Sequence, residues 1–300
     1  MADISFDGRV VIVTGAGGGL GRAHALAFAA RRAKVVVNDL GGAVDGAGAS
    51  SAAAEAVVAE ITAAGGEAIA DASSVTDEAA INAMAERTLS RWGRIDALIA
   101  NAGILRDKTF AKMTLDDFRA VIEVRLMGAA TCAKAVWAPM QAQNYGRLVF
   151  TTSSSGLYGH FGQSNYGAAK LALIGLMNTL KLEGAKHDIR VNAISPVAAT
   201  RMTENIFPEA MAAQFQPEAV TPGVVYLAGE DAPNGAVLAA GAGVFALARM
   251  FETEGVFLGP ESSPEQIRDA WPRIGDASAQ EAYTAGMGQT QKFLRKLSGA

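Results

Sequence analysis

Tyr166 and Lys170 stand four residues apart in Tyr166-Gly167-Ala168-Ala169-Lys170. In a helix that spacing puts a phenol and an ammonium on one face, about one turn apart. A lysine cation near a tyrosine hydroxyl favours the phenolate, which makes a general acid and base out of a side chain otherwise too weakly acidic for the task. Upstream, the apolar run from Arg147 to Thr152 ends in Ser153, Ser154 and Ser155. From that strand end Ser153 can hydrogen-bond the same substrate oxygen. Such a set moves a proton to or from an alcohol or carbonyl oxygen. A Tyr and a Lys at this spacing are commonly just a helix face, so the weight falls on what surrounds them.

The first 40 residues supply those surroundings. Val10 to Thr14 reads as a buried parallel strand, and Gly15-Ala16-Gly17-Gly18-Gly19-Leu20-Gly21 as a turn. About Arg22 to Arg32 reads as a helix and Ala33 to Asp39 as a second strand. Gly15, Gly19 and Gly21 permit a tight turn and close backbone approach. Helix N-terminal amides then face an anion such as a dinucleotide pyrophosphate. Asp39 ends the second strand, where an acid accepts hydrogen bonds from an adenosine ribose diol and repels a ribose phosphate. The expected cofactor is NAD rather than NADP. Arg31, Arg32 and Lys34 read as helix-end surface charges.

Positioning these groups takes a strand–helix alternation, and the chain supplies one. Further strands are expected at Glu67 to Ala72, Ile95 to Ala100, Arg147 to Thr152, Ile189 to Ile194 and Val237 to Ala240. Helices are expected from Ala52 to Ala64, Glu78 to Trp92 capped by Asp77, Thr114 to about Met140 with a capping box to Asp117, Tyr166 to about Gly184, and from Thr221-Pro222 onward. Residues 41–51, rich in Gly, Ala and Ser, read as a mobile surface loop that folds over the adenosine end. The fold class is α/β: a doubly wound parallel seven-stranded sheet flanked by helices, with a helical C-terminal extension. The domain reading is 1–248, including a substrate lid at about 203–219, and 249–300 as an extension that packs on the body or a partner subunit. In that extension Pro264 to Trp271 and Ala279 to Leu297 are the expected helices, the second broken near Gly286 and Gly288.

Composition narrows the function classes. Hydrophobic residues are 50% of the 300 and charged residues 19%, which suits a large core. A net charge of -4 without a basic tract argues against a nucleic-acid partner. Cys132 is the only cysteine, so neither an intrachain disulfide nor a thiolate metal cluster is expected, which fits a reducing compartment. No metal is expected. The start lacks a signal-peptide pattern and no run reaches transmembrane length uninterrupted, so the expectation is a cytoplasmic protein with no membrane association.

In order, Thr14 to Gly21, Asn101-Ala102-Gly103, Ser153, and Tyr166 with Lys170 resemble the classical short-chain dehydrogenases/reductases over about Phe6 to Gly243. The resemblance implies that Tyr166 is the acid/base and that Ser153 polarises and orients the substrate oxygen. It implies that Lys170 holds the nicotinamide ribose and lowers the tyrosine pKa. Gly15, Gly19, Leu20 and Gly21 would shape the pyrophosphate site and Asp39 would select NAD. Asn101, with Ala102 and Gly103, would border the adenosine-side ribose, while Ser73 and Val75 would lie toward the adenine. Pro196, Val197 and Thr200 would face the nicotinamide. Residues 36–42, 101–113, 145–170, 178–196 and 200–203 are further similar to the (3R)-hydroxyacyl-CoA dehydrogenase domains of peroxisomal multifunctional enzymes type 2. That branch acts on the 3-hydroxyl of acyl-CoA thioesters, and some relatives oxidise 17-hydroxysteroids.

The resemblance carries two departures: Arg125 stands where the family usually has Asn, and Ser73 where an acid often lies near the adenine. The chain lacks the hydratase and sterol-carrier domains and closes Ser298-Gly299-Ala300 without a peroxisomal ending, which implies a stand-alone bacterial-type enzyme. The expected reaction is hydride exchange between a secondary alcohol and nicotinamide, first with a 3-hydroxyacyl-CoA and alternatively with a steroid or other bulky apolar alcohol. Met202, Ile206, Phe207, Met211 and Phe215 suit either substrate; Arg201 and Lys108 hint at CoA phosphates. A remote alternative is a non-catalytic dinucleotide sensor, which predicts a broken catalytic set. Small residues on the long helix imply a homodimer or homotetramer.

Overall fold

The computed structural model describes residues 3–200 and 212–298. The chain divides into two compact units, Met1–Leu247 and Ala248–Ala300. In the first, short Val- and Ile-rich runs alternate with Ala-rich helices. The strands are β1 (Val10–Thr14), β2 (Lys34–Asn38), β3 (Glu67–Asp71), β4 (Ala97–Ala100), β5 (Gly146–Thr151), β6 (Ile189–Val197), β7 (Val237–Gly241) and β8 (Val244–Ala248). They form one sheet in the order β3-β2-β1-β4-β5-β6-β7-β8, with β1 through β7 paired in parallel. Chain order reverses between β1 and β4, which opens a crevice beyond their carboxyl ends.

Helices sit on both faces. α1 (Gly19–Ala30), α2 (Ala52–Ala63) and α8 (Thr221–Leu227) pack Phe28, Ile61 and Val224 against Val11, Val13, Val35 and Val37. α3 (Glu78–Trp92), α5 (Gly128–Gln143) and α7 (Ser164–Glu183) bury Met84, Met140 and Met177. Val10 to Val13, Val35 to Val37 and Leu148 to Phe150 are wholly buried. Strands covered on both sides read as continuous apolar runs, and each such side chain contributes about 1.5–3 kcal/mol.

Five differences from the sequence expectation have identifiable physical causes. The seven parallel strands are present, and an eighth joins them: Ala242 and Gly243 both take positive φ, +49° and +77°, the two-residue turn that folds a strand back antiparallel. α1 begins at Gly19 rather than Arg22, so its first turn lies inside the glycine run. The long helix is interrupted: α4 (Leu115–Ile122) passes into a wide π turn, Glu123–Met127, before α5. At its start Thr114 accepts from the Asp117 amide at 3.1 Å, but the Asp117 carboxylate pairs with Lys108 at 3.0 Å instead of closing the capping box. Residues 41–51 are tied down: the Leu105 amide donates to Val44 at 2.9 Å and Arg106 Nε to the Asp45 carbonyl at 3.1 Å.

In the second unit, β9 (Glu252–Thr253) pairs antiparallel with β10 (Gln280–Glu281). α9 (Pro264–Ile274) starts with a complete capping box between Ser263 and Gln266. α10 runs Met287–Leu297, so the helix expected from Ala279 begins only after Gly286. Lys292 of α10 bonds Glu252 and the Thr253 carbonyl. No described helix is long and apolar enough to cross a membrane.

Candidate active site

A cavity of about 280 Å³ opens at the carboxyl ends of β1 and β4. Its floor is the glycine turn. Gly15 holds φ +65°, and a methyl there would meet Ala102 Cα at 2.8 Å. Gly21 packs on the Gly15 carbonyl, which leaves no room for a side chain. Thr14 Oγ1 accepts from the amides of Asn101 at 3.0 Å and Ala102 at 3.1 Å, while Asn101 Nδ2 donates to the carbonyls of Thr14 and Gly15. These bonds lock the two strand ends together. No side chain caps α1, and Gly18, Gly19 and Leu20 line the cavity, so the open amides of a helix N-terminus meet the space.

At one end lies Asp39. Its Oδ2 accepts from the Gly17 amide and its Oδ1 from the Gly41 amide, both at 2.7 Å. The carboxylate is thereby fixed across the glycine turn. Asn38 and Ser73 line the same end. Asn38 Nδ2 donates to Asp71 Oδ1 at 2.8 Å and to the Ser73 carbonyl at 3.0 Å, and Arg87 pairs with Asp71 at 2.5 Å. Gly42, Ala43, Val44 and Gly46 form a strap over the cavity, opposite Ile104.

At the other end are Tyr166 and Lys170, both lining the cavity. Asn165, wholly buried, accepts from the Tyr166 amide at 2.7 Å and donates to the Arg106 carbonyl at 3.1 Å, which seats the first turn of α7. Lys170 is 2% exposed and its Nζ donates to the Thr151 carbonyl, 5.5 Å from the Tyr166 ring centroid. Burial, then the charge of Arg125, push its pKa well below the ordinary lysine value. Ser153 lies two residues past β5 and caps α6 (Ser154–Tyr158), its Oγ accepting from the Ser155 amide at 3.2 Å.

Of the residues singled out in the sequence, Gly15, Gly19, Leu20, Asp39, Ser73, Val75, Asn101, Ala102, Gly103, Tyr166, Lys170, Pro196 and Thr200 line this one space. Ser153, Gly21 and Val197 do not. Gly21 serves the turn from behind, and Val197 ends β6 paired with Gly241. The lid residues Arg201, Met202, Ile206, Phe207 and Met211 lie outside the described residues; of the lid's remainder, the Phe215 carbonyl accepts from the Ala199 amide at 2.6 Å.

A family model described as short chain dehydrogenase matches residues 9–210. The chain belongs to that family. Among its relatives is a short-chain type dehydrogenase/reductase of Mycobacterium tuberculosis, 47% identical over 271 residues, covering 90% of this chain and 95% of the relative. The peroxisomal multifunctional enzyme type 2 of Mus musculus is 47% identical over 92% of this chain, which spans 38% of that protein. The full-length Drosophila melanogaster enzyme of that name superposes with a TM-score of 0.83 at 37% identity, over 99% of this chain and 50% of its own. A 7α-hydroxysteroid dehydrogenase solved with NADH and a 7-oxo bile acid has a TM-score of 0.73 at 27% identity, over 81% and 98% of the two chains.

Sequence reasoning within this family missed four features of the site. The 41–51 loop is expected over the adenosine end, but not its anchoring: the Leu105 amide bonds Val44 and Arg106 bonds the Asp45 carbonyl, 61 positions away, which no local pattern signals. Asn165, next to Tyr166, reads as a helix-start polar residue. Thr151 enters the site through its carbonyl. Arg125 reads from the sequence only as a departure from the family pattern; it lines the cavity beside Tyr166, with its guanidinium carbon 4.4 Å from that ring's centroid.

Proposed function

We propose that this short-chain dehydrogenase uses NAD to interconvert 3-hydroxyacyl and 3-oxoacyl thioesters of coenzyme A. The observation that carries the reading is the single cavity. One end presents Asp39, its middle the open N-terminus of α1, and its far end Tyr166 with Lys170. Those are the needs of a ribose diol, a pyrophosphate and a reacting secondary alcohol, in that order. A dinucleotide fits the residues present: the floor is glycine where a methyl would collide, and the α1 amides have no side-chain partner. The acyl-CoA assignment draws on the peroxisomal multifunctional enzymes among the relatives.

In this reading the bound nicotinamide supplies the redox chemistry, accepting or returning a hydride. Tyr166 takes the hydroxyl proton in the oxidising direction and returns it in the other. Ser153 Oγ already accepts from the Ser155 amide, which leaves its own O–H free to donate to the substrate oxygen. Lys170, oriented by the Thr151 carbonyl, holds the ribose hydroxyls. Asp39 hydrogen-bonds the adenosine ribose.

The test follows absorbance of the reduced nicotinamide across a panel of 3-hydroxyacyl-CoAs and hydroxysteroids. Turnover of the thioesters is expected, with kcat of Tyr166→Phe down by at least about a thousandfold, while titrated cofactor binding is kept. Full turnover by Tyr166→Phe refutes the mechanism. A bulky apolar alcohol is the second reading. The likeness to the bile-acid enzyme favours it, as do the exposed rings of Tyr158 and Phe161, 77% and 87% accessible beside the α7 start. Preference for the steroids on the panel selects it.

A further inference from the structure

We propose that Arg125 is a positioning residue of this reaction: its buried guanidinium is the fixed positive charge that draws Tyr166 toward its ionised form, beside Lys170. The inference rests on the acid/base role given to Tyr166 above.

The geometry begins in the long helix. A π turn inserts one residue and re-aims the side chains that follow, and here it spans Glu123–Met127 with Arg125 at its centre. Arg125 is only 4% exposed. Its side chain passes Gly103, where any side chain would collide with the guanidinium. Its Nε donates to the Ile104 carbonyl at 2.7 Å. The guanidinium carbon then stands 4.4 Å from the Tyr166 ring centroid, whereas the Lys170 ammonium stands at 5.5 Å and is bonded to Thr151. Among the described residues, the charged and titratable groups facing Arg125 include Tyr166 and Lys170 on α7 and Asp107 on the segment after β4. The Asp107 carboxylate is also engaged by Gln163 Nε2 at 2.6 Å.

A cation over a neutral phenol gains only the ring quadrupole. Over a phenolate it gains a full opposite charge, and in a buried setting that difference is large. Lys170 is the weaker candidate for a permanent charge, because burial and Arg125 both press it toward the neutral form. Burial lowers Arg125 too, but a guanidinium keeps its proton in proteins. The labour divides accordingly: Arg125 supplies charge, and Lys170 supplies directed hydrogen bonds at the ribose.

The test is the pH profile of kcat for oxidation with NAD⁺ and a 3-hydroxyacyl-CoA. In Arg125→Gln and Arg125→Met the rising limb should move about one to two pH units upward. Activity should recover at high pH to within about threefold of the parent, with KM for NAD⁺ nearly unchanged. Arg125→Lys, which restores a charge, should keep its limb within about half a unit. A loss equal at all pH values, or a limb that stays in place in the neutral variants, overturns the proposal. Should the neutral variants fail to melt cooperatively, Arg125→Lys decides: a limb that stays supports the charge, and one that moves a unit or more despite it refutes it. Tyr166→Phe runs alongside. An active Tyr166→Phe means the acid/base reading has failed; an inactive one with unmoved Arg125 limbs means only this inference has.

Discussion

On the proposed NAD reading, replacing Asp39 by Asn should let the enzyme accept NADP. The carboxylate receives two 2.7 Å hydrogen bonds, from Gly17 and Gly41. An amide keeps one acceptor oxygen, so one of these amides loses its partner, at a cost of about 1–3 kcal/mol that both cofactors share. The difference between cofactors lies elsewhere. A ribose diol bonded to a charged acceptor is worth about 1 kcal/mol more than one bonded to a neutral amide, so NAD loses about that much. A 2′-phosphate about 4 Å from the carboxylate feels repulsion of roughly 4 kcal/mol per unit charge at an effective dielectric of 20. Asp39 is partly exposed, and screening at a Debye length of about 8 Å leaves about half of it, roughly 2 kcal/mol. The preference should therefore shift by about 3 kcal/mol, or roughly a hundredfold. The assay is kcat/KM for both cofactors at low and high salt. Asp39→Asn should raise the NADP/NAD ratio about a hundredfold at low salt, and the parent's NADP deficit should shrink as salt rises. A parent that uses both equally, or a ratio that moves less than threefold, refutes the electrostatic account.

Two further predictions concern stability. His24 is wholly buried, donates through Nδ1 to Thr221 Oγ1 at 2.9 Å, which itself donates to Pro217, and leaves Nε2 without a partner. Burial lowers its pKa from 6.5 to about 3, so between those values the unfolded chain binds the extra proton, and stability rises with pH. Its contribution is complete above 6.5 and falls by about 1.4 kcal/mol per unit below it. Urea melts at pH 7 and pH 5 should differ by about 2 kcal/mol more in the parent than in His24→Leu; equal differences refute the assignment. Arg147, with no exposure, donates to the carbonyls of Gly146, Asp188, Gly229 and Glu230 and to the Asp188 carboxylate. Arg147→Met should cost about 3–5 kcal/mol in the same melts, with KM values unchanged in whatever protein remains folded; a loss under 1 kcal/mol refutes it.

The sheet and the two ends of the cavity were legible because their signals are local. Val10 to Val13 is a continuous apolar run, Gly15 to Gly21 is a turn by composition, and Tyr166 and Lys170 share one helix. Asp39 follows its strand directly. What escaped depends on distant partners. The strap is closed by Leu105 and Arg106, and its Gly and Ser content gave no hint of them. The π turn hides inside a helical period that runs without a break from Thr114 to Met140, because one inserted residue barely changes the apolar pattern. β8 follows glycines that read as the end of the sheet. Ser153 has the right chemistry just past its strand end, and its bond to the Ser155 amide, which the serine run alone did not signal, fixes its Oγ.

Charged groups at the two ends of the strands are held differently, although Asp71 at the carboxyl end also meets an arginine, Arg87. At the amino edge arginines meet carboxylates: Asp96 takes Arg9 at 3.0 Å and Arg94 at 2.5 Å, and Asp188 takes Arg147 at 3.1 Å. Those charges cancel locally, which suits stability alone. At the carboxyl edge, Lys170 Nζ and Arg125 Nε are instead held by main-chain carbonyls, of Thr151 and Ile104. A carbonyl orients a cation through a dipole and cannot neutralise it. On the proposed reading, the Arg125 guanidinium, which Asp107 also faces, stands beside the phenol that gives up its proton. In the proposed mechanism, carboxylates bonded to both groups in place of those carbonyls would make tighter pairs and a poorer base of Tyr166.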